Sequence, residues 1–135
     1  MTKPRSSCPI NFGLEIFGDQ WCLLIIRDLA FNKKRSYGEL LSSAEGIATN
    51  ILAKRLLKLS DAGLLHKNRS GVNKKVFYYG LTDKGKALIP TLVELILWGA
   101  TYGPKNKALL SWAAQIKKDK PAMIAQTLES LSEIQ

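Results

Sequence analysis

The apolar period of this chain changes at Gly63 and changes back after Leu81, and that one interruption constrains the fold more than any other feature. Before Gly63, apolar residues recur at intervals of three and four, the spacing of helices that bury one face. In TNILAKRLLKLSDA, residues 49–62, Leu52, Leu56 and Leu59 form such a stripe, Ile47 packs at its entry, and Gly63 stops it. The runs LLHKNR and KVFYYGL that follow are short and rich in Leu, Val, Phe and Tyr. The intervening SGVNK supplies Gly71 and Asn73 as turn residues, so the pair reads as a hairpin. Helical spacing then resumes. One hairpin set among helices defines a mainly helical α+β chain.

Upstream, Pro9 suits the first position of a helix that carries Ile10, Leu14 and Phe17 inward and ends at Gly18. Asp19 is a cap for a second helix with Trp21, Leu24, Ile25 and Leu29 on one face. After the basic loop NKKR, Ser36-Tyr37-Gly38-Glu39 matches the S-x-x-E capping box. The third helix therefore starts there, with Tyr37, Leu40, Leu41 and Ala44 on one side and Gly46 at its end. Downstream, Thr82 caps a long helix with an expected inward set of Leu88, Leu92, Leu95, Ile96 and Gly99, kinked at Pro90. Gly103-Pro104 breaks the pattern. Two amphipathic segments follow, 108–118 and 122–134, split by Pro121. Helices, a hairpin, then a long helix is the order of a winged helix-turn-helix, in which one helix braces a second that enters the DNA major groove.

Charge points the same way. The 135 residues carry 20 Lys/Arg against 11 Asp/Glu. Residues 31–90 hold twelve of those cations and only four of the acids, an excess of +8 within a total of +9. A charge concentrated in the segment that would form the bracing helix, the second helix and the hairpin favours a polyanion. With Leu52, Leu56 and Leu59 inward, Asn50, Lys54 and Lys58 form an outward row, with Thr49 and Ala53 beside its N-terminal end. Asn pairs bidentately with adenine, Lys reaches guanine or a phosphate, and the helix N-terminus offers bare N–H groups. Arg55, flanked by core positions, is left open between DNA contact and bracing. Arg69, Lys74 and Lys75 of the hairpin are expected on phosphate or in the minor groove, and Arg35, Ser36 and Tyr37 on the backbone.

Taken in order, several pieces resemble the HxlR-type branch of the MarR-like winged-helix regulators. They are Cys8-Pro9, Gly18-Asp19-Gln20-Trp21 before LLIIRDL, SYGEL, and Gly46-Ile47 before the spaced Leu52, Arg55, Leu56 and Leu59. Gly63-Leu64, Tyr79, Leu81-Thr82, Gly85, Leu88, Pro90, Leu92, Leu95 and Trp98-Gly99 complete the set, which covers residues 8–99. The resemblance implies a homodimer on a partly palindromic operator, with recognition helices about 34–36 Å apart, that represses or sometimes activates a nearby gene. It implies that the first helix and the long helix after the hairpin form the dimer interface. It also marks Cys8 as the position of a redox sensor in some members. Where the family often has Ser or Thr after Gly-Ile, this chain has Ala48, so Thr49 is expected to cap one residue later. The wing is more basic than the family's and the C-terminal extension longer. The expected division is a winged-helix domain over 1–103 and a helical extension over 104–135, which packs back on its own domain or extends the dimer interface.

Little supports catalysis. The single His66 lies on a hairpin strand without a metal-spaced partner, and no phosphate loop or nucleophile motif is present, so no cofactor or metal is expected. Cys8 beside a helix start, near Lys3 and Arg5, has the setting of a reactive thiolate, whereas Cys22 reads as a small core residue. No small-molecule effector is assigned, although Trp21, Trp98 and Tyr102 are aromatic enough to line a pocket. The N-terminus lacks the apolar core of a secretory signal, and the longest apolar stretch, 87–100, contains Pro90 and Glu94, so a cytoplasmic location is expected. Two other readings share parts of this pattern: a non-specific architectural nucleic-acid binder, and a winged helix that binds only proteins.

Overall fold

The computed structural model describes residues 3–69 and 75–134, and they form two compact units, Met1–Gly85 and Lys86–Gln135. The first unit runs α1 (Pro9–Phe17), α2 (Cys22–Ala30), α3 (Tyr37–Leu41), α4 (Thr49–Asp61), β1 (Leu65–Arg69) and β2 (Phe77–Leu81), with the short α5 (Asp83–Lys86) at its end. The second holds α6 (Ile89–Tyr102), α7 (Lys107–Lys118) and α8 (Lys120–Ile134). A mainly helical chain with one antiparallel hairpin is the winged helix-turn-helix architecture that the sequence predicts.

Local chemistry sets the element starts in the first unit. Pro9 occupies the first turn of α1. Asp19 Oδ1 accepts from the backbone N–H groups of Trp21 at 2.8 Å and Cys22 at 3.0 Å, which opens α2. Both arms of the capping box form at α3: Ser36 Oγ accepts from Glu39 N at 3.1 Å, and Glu39 Oε1 accepts from Ser36 N at 3.0 Å. At the far end of α4, Gly63 takes a left-handed φ of +80°, and Leu64 N donates back to Leu59 O at 2.9 Å. That reversal needs glycine. Thr49 is the first helical residue rather than the cap, and Ala48 fills the cap position with no side-chain bond to offer.

The core of this unit is built from Cys22, Ile26, Leu29, Leu40, Leu52, Leu59, Leu64 and Leu81, all nearly inaccessible. α4 packs against α1, α2, α3 and β1. The hairpin pairs Leu65 with Leu81, Lys67 with Tyr79 and Arg69 with Phe77, so the buried leucines lie at its base and the cations toward its tip. An isolated bridge between Ser36 and Tyr78 ties β2 to the start of α3. The α1 face differs from expectation: Ile10 is 73% exposed and Leu14 51%, and α1 has no buried residue.

The second unit also departs from the expected pattern. Thr82 does act as a cap, its Oγ1 accepting from Gly85 N at 3.2 Å, but it starts the four-residue α5 and not the long helix. Pro90 sits in the first turn of α6, where its missing N–H costs nothing, and so opens that helix instead of kinking it. The buried face of α6 is Ile89, Leu92, Val93, Leu97 and Ala100. Leu95 is 47% exposed and Ile96 partly so, because α6 is apolar nearly all round and spacing alone does not fix its phase. Asn106 caps α7, accepting from Leu109 N at 2.8 Å, and α7 and α8 pack on α6 and on each other through Ala113, Ile116 and Leu131. No helix of the described residues is long and apolar enough to cross a membrane.

Candidate nucleic-acid interface

The interface is built outward from α4. Its three leucines are buried, whereas Thr49, Asn50, Ala53, Lys54 and Lys58 are all exposed. At about 100° per residue, Asn50 and Lys54 lie nearly opposite the leucine stripe, and Lys58 lies farther round the same side. Lys58 accordingly lines a groove with Phe12, Glu15, Ile16, Asp61, Ala62 and Lys84, beside α1 rather than at the centre of the outward face. Leu57, which the leucine pattern does not single out, is also on the outward side at 63% exposure. Because Ala48 supplies no side-chain cap, the first amides of α4 keep their hydrogen-bonding capacity toward an anion.

Two braces hold this helix. On one flank Tyr37 Oη donates to the carbonyl of Thr49 at 2.7 Å, fixing α3 against the start of α4. On the other, Arg55 Nε stands 3.2 Å from Asp19 Oδ1, an ion pair between α4 and the α1–α2 turn. Arg55 therefore braces the fold. Burial alone would raise the Asp19 carboxyl. Hydrogen bonds from the Cys22 thiol and from the Trp21 and Cys22 amides, with the Arg55 charge, outweigh it and hold the carboxyl at about 2. The same burial, with Asp19 beside it, pushes the Cys22 thiol up to about 12, so this cysteine is an inert core residue.

A third support escapes any pattern in the sequence. Asp28 of α2 is 1% exposed, accepts from Asn32 Nδ2 at 2.7 Å and from the Ser43 hydroxyl, and pairs with Arg27 at 2.9 Å. Arg27 in turn grips Glu45 through two bonds of 2.7 and 2.8 Å. This cluster anchors the turn between α3 and α4. An aspartate on the second helix carries no spacing signal that would have revealed it.

Around the start of α3 the structure gathers several of the expected backbone-contacting residues. Ser36, Tyr37 and Lys75 line one open groove of about 490 Å³ together with Gly38, Val76, Phe77 and Tyr79. Arg35 lies over the Tyr78 ring at 5.7 Å, and its Nε has no hydrogen-bond partner among the described residues. Ser36 Oγ and the Tyr37 hydroxyl are already engaged in the cap and the Thr49 contact. On the wing, the Arg69 guanidinium stacks on Phe77 at 4.6 Å and Lys67 Nζ sits 3.9 Å from the same ring, so the aromatic rail holds both cations. Lys74 falls outside the described residues. His66 is half-buried, with Nδ1 3.1 Å from Asn68 Nδ2. Cys8 is an exposed free thiol at the start of α1, and the Arg5 guanidinium is turned to Asn11 and Glu15.

A braced helix with an outward amide and amine, an uncapped N-terminus and a cation-bearing hairpin defines a winged-helix DNA-binding protein. The HxlR-like helix-turn-helix family model matches residues 16–107, and the chain belongs to that family. It is 30% identical over 95 residues to YdzF of Bacillus subtilis, an uncharacterized HTH-type transcriptional regulator, covering 70% of this chain and 87% of the relative. It is 34% identical over 96 residues to Rv3095 of Mycobacterium tuberculosis, another uncharacterized HTH-type transcriptional regulator, covering 71% of this chain and 60% of the relative. Among solved structures, PA1607 matches with a TM-score of 0.68 at 39% identity, over 76% of this chain and 72% of that one. The reduced form of the transcriptional regulator YodB from B. subtilis shares the fold, with a TM-score of 0.58 at 24% identity over 76% of this chain and all of that one. The protein is a transcriptional regulator with a helix-turn-helix DNA-binding fold.

Proposed function

We propose that this regulator binds a partly palindromic operator as a homodimer and represses the adjacent gene. In this reading α4 enters the major groove, with Asn50 and Lys54 on base edges and Thr49 and Ala53 against the groove. Lys58, Arg35, Ser36, Tyr37, Arg69, Lys74 and Lys75 contact the backbone, the wing cations reaching phosphate or the minor groove. The observation that carries it is the outward row of α4: an amide and an amine on a helix that is anchored by buried leucines and braced on both flanks. The dimer would use the apolar faces that α1 and α6 each leave exposed, with 104–135 as an extension of the second. Cys8, exposed and free, is the position at which oxidation would be sensed, and such a protein works in the cytoplasm.

The test is a gel shift on the DNA upstream of its own gene, challenged with scrambled competitor. Retention against competitor is expected. Equal loss on both DNAs would make it an architectural binder, and no shift at all would make it a protein-binding module. With about six phosphates neutralised, log K should fall against log salt with a slope of about −5. A slope near zero would remove this account of the charge. Treating the protein with mild peroxide should modify Cys8, spare Cys22 and release DNA. Unmodified Cys8 with DNA still bound would end the sensing role.

A further inference from the structure

Leu57 stands 63% exposed on α4, a helix that also carries Lys54, Arg55 and Lys58, where the core has no use for it. At about 100° per residue it lies some 20° from Asn50 and 40° from Ala53, on the α3 side of the outward face. Ala53 and Leu57, four residues apart, thus form an exposed apolar strip running beside the polar strip of Asn50 and Lys54. Water gives such a strip nothing, and phosphate gives it less. The one apolar feature on the major-groove edge of DNA is the thymine C5-methyl group.

We propose that Leu57, with Ala53, reads thymine methyl groups and is a specificity-determining residue of this protein. The inference rests on α4 lying in the major groove. Residues four apart on a helix are about 6 Å apart along its axis. Base pairs are about 3.4 Å apart along a strand. The two side chains therefore address methyls about two base steps from one another, Ala53 about one step and Leu57 about three from the base that Asn50 contacts. The polar strip and the apolar strip together distinguish A·T from T·A, which an amide alone does only when it faces the adenine.

The test starts with selection of bound sequences from a random DNA pool by the full-length wild-type protein. A pool with no enriched sequence overturns the operator reading and this inference with it. Given an enriched site, each thymine is replaced in turn by deoxyuridine, which removes only the methyl. One position should weaken wild-type binding about fourfold, the effect of one buried methyl-sized group. Leu57→Ala should bind the unmodified site about as weakly and lose its sensitivity to uracil at that position, while Leu57→Met keeps both. Uracil effects that are the same for wild type and Leu57→Ala at every position would overturn the proposal although the operator reading stands. So would a Leu57→Ala protein whose sedimentation changes while its methyl sensitivity does not, since Leu57 would then be a protein contact.

Discussion

α4 and α6 are nearly equal in length, each buries a stripe that includes leucines, and each leaves the opposite face uncovered. Those uncovered faces differ in kind. α4 presents Asn50, Lys54 and Lys58, whereas α6 presents Leu95, Trp98 and Tyr102, the last two with rings 5.5 Å apart and 65% and 74% exposed. The face of α6 also carries Glu94, already engaged by Lys120 at 2.7 Å, and lines an open groove of about 720 Å³ with Thr101 and Lys117. Two copies of the α4 face would repel one another, whereas the exposed side chains of α6 itself are mainly apolar, with Glu94 as their charged member. The same helical scaffold therefore carries outward chemistries suited to different classes of partner: the proposed polyanion for one, the proposed apolar protein surface for the other.

The most forceful way to break this contrast is to place a charge on the apolar face. Trp98→Glu should weaken self-association by 30-fold or more, as for a buried aromatic anchor, with helicity unchanged. Sedimentation equilibrium reads it, and an unaltered dimer would remove α6 from the interface. The reciprocal change is smaller. Asn50→Ala and Lys54→Ala should each cost roughly 1–3 kcal/mol in operator binding while leaving sedimentation and thermal stability alone. If neither alters recognition of the selected site, α4 is not the reading helix.

A third test concerns how each helix is held. α4 is clamped by Arg55 and Asp19, whose carboxyl is depressed to about 2 in the folded protein. A depressed carboxyl contributes stability above its unfolded pKa, near 3.8, and loses it as pH falls toward 2. Denaturant unfolding followed from pH 5 to 2 should show a loss of roughly 1–2 kcal/mol that is absent from Asp19→Asn. Identical acid profiles would show that ionised Asp19, with its bonds to the start of α2 and its pairing with Arg55, contributes nothing. The smallest effect belongs to α6, whose Glu94–Lys120 pair is largely exposed. Glu94→Gln should shift stability by no more than about 0.5 kcal/mol in the same assay.

Legibility followed the strength of local chemistry. The bounds of α4, the Ser36–Glu39 capping box, the presence of the hairpin and the buried Cys22 could be read from residue type and spacing. Each rests on a contact within a few residues or on an unambiguous period. The phase of α6 could not, because Ile89 to Leu97 is apolar on several sides and only packing against α7 and α8 selects the buried one. Ile10 and Leu14 looked inward for the same reason: an apolar residue signals the need for a neighbour but not whose. Asp28 and the Arg55–Asp19 pair were hidden because they join residues far apart in sequence. Lys58 shares the spacing of Asn50 and Lys54, yet cumulative rotation carries it onto the flank beside α1.

By itself, then, the sequence determined most of the segments that become helix and hairpin and the bounds of α4, and it concentrated cationic charge in the middle of the chain. By contrast, α3 stops at Leu41 instead of Gly46, and the long helix starts at Ile89 instead of after Thr82. Hydrogen bonds between near neighbours and the 3.6 and 2.0 periods act before any tertiary contact exists. Tertiary structure alone decided which of several apolar faces of α1 and α6 are buried, and that Arg55 and Asp28 brace the fold. Burial is a property of what comes to lie opposite a residue, and no local period encodes that.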